Sequence, residues 1–195
     1  TLSVTPEADY NGDILVSVLV SDGQASGSGS FTLSVTNVND APTVTVIDNQ
    51  AIDEDTSLGI SVFPFDIDGD ILTLSATGEN ISTSFDGTTL TVTPDEDYNG
   101  DIEVTVSAND TEYTGSTSFT LTVNPVNDAP TLDEILDVEV DEDNTYTIEL
   151  SGTDIDGDSL TFQASVENNG SVSIDGSTLS VTPEADYNGD ILVSV

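Results

Sequence analysis

The chain repeats itself, and that constrains its fold more than any other feature. Thr1 to Val18 recurs unchanged as Thr178 to Val195, and Thr89 to Val106 matches both at most positions. Tyr10, Tyr98 and Tyr187 mark the same place at steps of 88 and 89 residues. The same step carries Val38-Asn39-Asp40-Ala41-Pro42 onto Val126-Asn127-Asp128-Ala129-Pro130, and Asp53-Glu54-Asp55 onto Asp141-Glu142-Asp143. It also carries Asp66-Ile67-Asp68-Gly69-Asp70 onto Asp154-Ile155-Asp156-Gly157-Asp158. A solenoid unit usually spans about 20 to 50 residues, whereas a repeat of about 88 is long enough to bury a core of its own. Tandem domains are therefore expected: residues 42–129 as a complete repeat, 1–41 as the C-terminal part of a preceding one, and 130–195 as the N-terminal part of a further one without its closing strands. On this reading the 195 residues are a window in a longer array.

Within the complete copy, alternation of apolar and polar residues predicts seven strands, near 43–48, 57–63, 70–76, 81–85, 89–93, 101–108 and 115–124. They are rich in Val, Ile, Thr, Leu and Phe, and Asp68-Gly69, Asp86-Gly87 and Asn99-Gly100 punctuate them as turns. Helical periodicity is absent. Seven short strands in one repeat predict an all-β chain of tandem Greek-key β-sandwiches with an immunoglobulin-like outline. Tyr98, just ahead of a strand, suits either a plain core position or the tyrosine corner of such sandwiches.

Composition then removes most functions. Asp and Glu number 38, Lys, Arg and His are absent, and the formal charge is −38. No imidazole base, thiolate, Schiff-base amine or cationic oxyanion holder exists, because Cys is absent too. Nucleic-acid binding, built on cationic side chains, is excluded, and an anionic membrane surface would repel the chain. No run approaches the roughly 20 apolar residues needed to span a bilayer. Hydrophobic residues still make up 35% of the chain, in short alternating runs, so folded domains are expected rather than disorder. What neutralises the acid is either monovalent salt or a hard divalent cation.

Three acidic clusters are candidates for that cation, each set against the plain fact that Asp, Asn and Gly make turns. Asp66, Asp68 and Asp70, alternating and carrying Gly69, can wrap several oxygens around one ion, although no twelfth-position Glu or flanking helix makes this the helical calcium loop. Asn39 and Asp40 stand in what is otherwise an ordinary linker, and Asp53-Glu54-Asp55 in what is otherwise a solvated loop. Adjacent carboxylates repel, and no basic residue relieves them here; bound cations explain their persistence.

The stretch Val18-Leu19-Val20-Ser21-Asp22-Gly23, with Phe31 through Pro42, resembles the closing strands and linker of bacterial cadherin-like tandem repeats, the calcium-binding repeats of giant secreted adhesins. The Val-Asn-Asp-Ala-Pro linker, Asp-x-Asp-Gly-Asp loop and Asp-Tyr-Asn-Gly turn carry the resemblance over the whole chain. It implies calcium at junctions between successive sandwiches. At the first junction the implied ligands are Glu7, Asp9, Asn39, Asp40, Asp66 and Asp68, with Asp110 as a further one. At the second they are Glu54, Asp95, Asp97, Asn127, Asp128, Asp154 and Asp156. The late turn reads Pro6-Glu7-Ala8-Asp9 in one copy and Pro94-Asp95-Glu96-Asp97 in another, and neither reproduces the Asp-Arg-Glu motif of animal cadherins.

The expected function is a non-catalytic extracellular structural or adhesive module, stiffened by calcium and belonging to a long adhesin or filament. Its expected partners are neighbouring copies of the same repeat, packed head to tail. A polysaccharide-binding module is the alternative, with Tyr113 as its isolated exposed ring and no Trp to help. A two-carboxylate glycosidase needs an acid in an apolar pocket, whereas these acids sit in repeated polar turns. Scattered acids such as Glu103 and Glu112 fit solubility and salt tolerance.

Overall fold

The computed structural model describes all 195 residues, and the chain divides into two compact units, Thr1–Pro125 and Val126–Val195. Every regular element is a strand. The first unit opens with a hairpin, β1 (Gly12–Ser21) and β2 (Ser26–Val35), paired from Gly12↔Val35 to Ser21↔Ser26. Asp22 sets its turn: Oδ1 accepts from the amides of Gln24 (2.9 Å) and Ala25 (2.7 Å), the local side-chain capping that makes Asp a turn residue.

The complete repeat follows as β3 (Thr43–Val44), β4 (Gln50–Asp53), β5 (Leu58–Ser61), β6 (Pro64–Phe65), β7 (Thr73–Thr77), β8 (Ile81–Asp86), β9 (Thr89–Pro94), β10 (Gly100–Asn109) and β11 (Thr114–Asn124). A four-stranded sheet in the order β4-β11-β10-β7 and a three-stranded sheet β5-β9-β8 make a seven-stranded sandwich, with β3 and β6 as a short ribbon beside it. β10 and β11 pair from Gly100↔Val123 to Asn109↔Thr114, the register of the β1–β2 hairpin one repeat on.

Period-two alternation builds the core. Ile102, Val104, Val106 and Ala108 of β10 and Phe119, Leu121 and Val123 of β11 face Leu90 and Val92 of β9, all nearly inaccessible to water. Burying each Val or Leu here contributes about 1.5–3 kcal/mol relative to exposure. Tyr98 packs against the edge of this core. The equivalent hydroxyls donate three residues ahead, Tyr10 to the Asp13 carbonyl (3.0 Å) and Tyr187 to that of Asp190 (3.2 Å).

Three expected strands differ from the observed ones. The first, read as 43–48, is a strand at Thr43–Val44, extended by one bond from the Thr45 amide to the Phe63 carbonyl (3.2 Å); the chain then leaves the ribbon and resumes as β4, which joins the four-stranded sheet parallel to β11 through Leu121↔Gln50 to Asn124↔Asp53. The second, read as 57–63, is shorter than expected: it contains only β5, Leu58–Ser61, which pairs with β9, and the ribbon strand β6 begins beyond it at Pro64. The third begins at Thr73 rather than residue 70, because Asp70 to Leu72 belong to the loop and Ile71 is 90% exposed.

The second unit repeats the opening half of this plan. β12 (Thr131–Leu132), β13 (Tyr146–Glu149), β14 (Gly152–Thr153), β15 (Ser165–Val166), β16 (Gly170–Asp175), β17 (Thr178–Pro183) and β18 (Val193–Ser194) follow in order. β12 pairs with β14, β13-β17-β16 form a three-stranded sheet, and β15 pairs with β18. Leu150 and Leu179 are its buried hydrophobic residues.

Candidate metal centres

The loop between β6 and β7 is built on Asp66. Its Oδ1 accepts from the amides of Asp68 (2.9 Å) and Asp70 (3.3 Å), which folds the chain back over the carboxylate. Gly69 makes the bend at φ +78°, a conformation that L side chains rarely adopt. As a result one carboxylate oxygen each from Asp66, Asp68 and Asp70 lie within 4.8 Å of one another. The second oxygen of Asp66, Oδ2, is buried and accepts no hydrogen bond. A buried carboxylate oxygen without a donor is costly, and with no basic side chain in the sequence, a hard cation is the natural counter-charge.

The linker closes on this loop. The amide of Asp40 donates to Asp68 Oδ2 at 2.8 Å, and the Asn39 side-chain amide donates to Asp110 Oδ2 at 3.0 Å. Asp110, almost fully buried, accepts through Oδ1 from the amides of Glu112 (2.7 Å) and Tyr113 (2.6 Å). The Tyr113 amide above all, together with Asn39 and Glu112, outweighs burial and holds the Asp110 carboxyl below the usual range.

The second unit carries the same device. Asp154 Oδ1 accepts from Asp156 and Asp158 (both 3.1 Å), Gly157 bends at φ +78°, and the Asp128 amide donates to Asp156 Oδ2 at 2.7 Å. Asn127 differs from Asn39: its side-chain amide turns to the Asp128 carbonyl at 2.7 Å.

A further acidic group of the first unit surrounds the end of β11, where the chain leaves the sandwich. The Glu54 amide donates to the Asn124 carbonyl (2.9 Å), and the Glu54 side chain, 3% exposed, accepts from Asn99 Nδ2 at 3.3 Å. Asp97, at φ +56°, donates its amide to Asp55 Oδ1 (3.2 Å), and Asp53 Oδ1 accepts from Asn124 Nδ2 (3.2 Å). Asp95 enters through its backbone, its amide bonded to Asn80 and its carbonyl to Tyr98. The second unit repeats this turn, with the Asp186 amide on Asp143 Oδ1 at 3.0 Å.

The candidate ligands thus fall into groups. Asp66 and Asp68 come together and the Asp40 amide ties the linker to Asp68, while Asn39 and Asp110 bond each other; the Asp128 amide repeats the tie to Asp156 in the Asp154 loop. Glu7 and Asp9 lie in an exposed turn that belongs to no compact group of carboxylates. Asp70 and Asp55 belong to the acidic clusters read from the sequence but not to the ligand sets that the resemblance implies; the structure brings Asp70 beside Asp66 and Asp68, and Asp55 to the Asp97 amide. Asn99 carries no sequence signal for its contact with Glu54.

A family model described as a bacterial Ig domain matches residues 39–124 and 127–195. No curated protein matches the chain. Among solved structures it is similar to mouse protocadherin-24 EC1-3 at 11% identity, covering 94% of this chain and 70% of that one with a TM-score of 0.47. Drosophila N-cadherin EC1-4 gives 16% identity, 94% and 54% coverage and a TM-score of 0.44. An endo-fucoidan hydrolase from glycoside hydrolase family 107 gives 18%, 97%, 34% and 0.38. The chain spans about a third of that hydrolase's length.

Proposed function

The chain belongs to the bacterial Ig domain family, and from that premise we propose that it is a non-catalytic structural or adhesive module of the cell exterior whose acidic loops bind calcium. One observation carries the reading: Asp66 Oδ2 is buried without a donor inside a loop whose neighbouring carboxylate already grips the linker. Asp66, Asp68 and Asp70 would hold the ion, and calcium suits them because it takes six to eight oxygens in irregular geometry. Bound there, it would supply the positive charge that the chain lacks. The Asp40 amide, tied to Asp68, makes the linker part of the same loop, so filling the loop would stiffen the linker. Asp128, Asp154 and Asp156 would act in the same way in the second unit. Glu54, Asp97 and Asp95, with Glu7 and Asp9 in the earlier copy, remain proposed as further ligands, and neighbouring repeats as the partners.

Isothermal titration with calcium, repeated on Asp66→Asn, tests this directly. Binding that weakens in the variant supports the reading; identical isotherms would overturn it. A second reading, polysaccharide recognition, is favoured by exposed rings, Tyr113 at 50% and Phe63 and Phe65 at 66% and 63%. Retention on immobilised neutral glycan, lost on replacing those rings by Ala, would mark it.

A further inference from the structure

The turn that leads into β10 must place glycine after Asn99. Gly100 sits at φ +135°, and a Cβ there would lie 3.2 Å from the Tyr98 hydroxyl oxygen, so any side chain is both strained and crowded. That requirement has a chemical consequence, because a glycine nitrogen is the least hindered nucleophile that can follow an asparagine. Asn99 is exposed to water. We propose that Asn99 is a self-modifying position that converts to an acid and so places a second carboxylate against Glu54. The Gly100 backbone nitrogen forms a bond to the Asn99 side-chain carbon Cγ as the Cγ–Nδ2 bond breaks. The Gly100 amide proton passes through solvent to the departing nitrogen, which leaves as ammonia. One water then opens the five-membered imide at either carbonyl, giving aspartate or isoaspartate. No oxidant, metal or enzyme is needed.

The position matters because of what the amide does now. Asn99 Nδ2 donates to Glu54 Oε2 at 3.3 Å, and Glu54 is 3% exposed. Conversion replaces a neutral donor by an anion facing an almost buried carboxylate, and like charges at short range in a desolvated place repel. The equivalent residue of the preceding copy, Asn11, donates instead to the neutral Asn37 side chain at 2.9 Å, so its conversion brings no such clash.

The folded 195-residue chain is aged in mildly alkaline buffer with chelator, and the Asn99 peptide is followed by mass spectrometry after chymotryptic digestion, since trypsin has no site here. The expected result is conversion at Asn99 in the folded protein. The aged protein and Asn99→Asp should both melt a few degrees below the fresh chain in chelator, and Asn11→Asp should not. An Asn99 that stays intact while the denatured chain converts there would overturn the proposal. So would aged and fresh protein melting alike once Asn99 has converted. Because every measurement is made in chelator, these outcomes are independent of the calcium reading.

Discussion

The backbone amide of Asp40 donates to the Asp68 carboxylate at 2.8 Å, and 88 residues later that of Asp128 donates to Asp156 at 2.7 Å. The linker is thus tied to the loop of the domain it enters by one of that loop's acidic side chains, twice and in the same way. Asp66 plays the other part, its Oδ1 accepting from the loop's own amides. The division of labour is physical: one carboxylate shapes the loop, the next reaches the linker, and the remaining oxygens stay available for an ion.

Asp68→Ala is expected to abolish protection of the Asp40 amide against hydrogen exchange and to leave the amides of β10 and β11 protected. Loss of one hydrogen bond to a carboxylate at an exposed site costs about 1 kcal/mol, too little to unfold the sandwich. Exchange measured residue by residue by NMR reads both effects together. Unchanged protection at Asp40 would mean that the linker is held by something else.

Calcium is expected to raise the melting temperature more than magnesium does, because magnesium demands a near-ideal octahedron and gives up water reluctantly. Extracellular calcium modules bind at about 0.1–1 mM, and a site of that strength at tenfold excess over its dissociation constant would add roughly 1.4 kcal/mol. Calorimetry at fixed ionic strength distinguishes this from simple salt tolerance, for which sodium would stabilise equally well.

Much of this architecture was legible because strand alternation is a local signal. Ile102, Val104, Val106 and Ala108 alternate along β10 and are all buried, as their spacing requires. β4 was not legible, since Gln50 to Asp53 owe their strand to a parallel partner some 70 residues on and show little alternation of their own. Ile71 misled in the opposite sense: apolar and next to a true strand, it lies in the acidic loop and faces water. The Asp66 loop could be read from its spacing, but its grip on Asp40 could not. That contact uses a backbone amide, which every residue except proline has and which therefore leaves no mark in a sequence.

Leu121→Ala is expected to destabilise the first unit by about 2–5 kcal/mol, because Leu121 is completely buried and the neighbouring strands cannot collapse into the space. Leu15→Ala, in the hairpin and 69% exposed, should change stability by no more than about 0.5 kcal/mol. Chemical denaturation followed by tyrosine fluorescence compares the two. Similar losses would show that the hairpin face is as well packed as the sandwich.

Acid is expected to loosen the Asn39–Asp110 contact through Asp110 itself. The Tyr113 amide first, then Asn39 and Glu112, hold its folded-state pKa below the ordinary 3.8, so ionised Asp110 contributes stability that is fully present above 3.8 and is lost as pH falls through the lower folded value. Asp22, bonded to the amides of Ala25 and Gln24, is shifted in the same direction, as is Glu149 by the hydroxyls of Thr178 and Ser177. All three therefore make the chain weaker in acid, so the wild-type profile alone cannot isolate one of them. Asp110→Asn can. It no longer titrates, and one oxygen becomes an amino group that cannot accept from Asn39, so the variant should be less stable than the wild type near neutral pH. As pH drops below 3.8 the wild type loses its carboxylate and the gap between the two should close. Thermal melts of both proteins from neutral pH to below 3, without added metal, give the gap directly. A gap that stays constant across that range would mean that the charge on Asp110 contributes nothing to holding the linker.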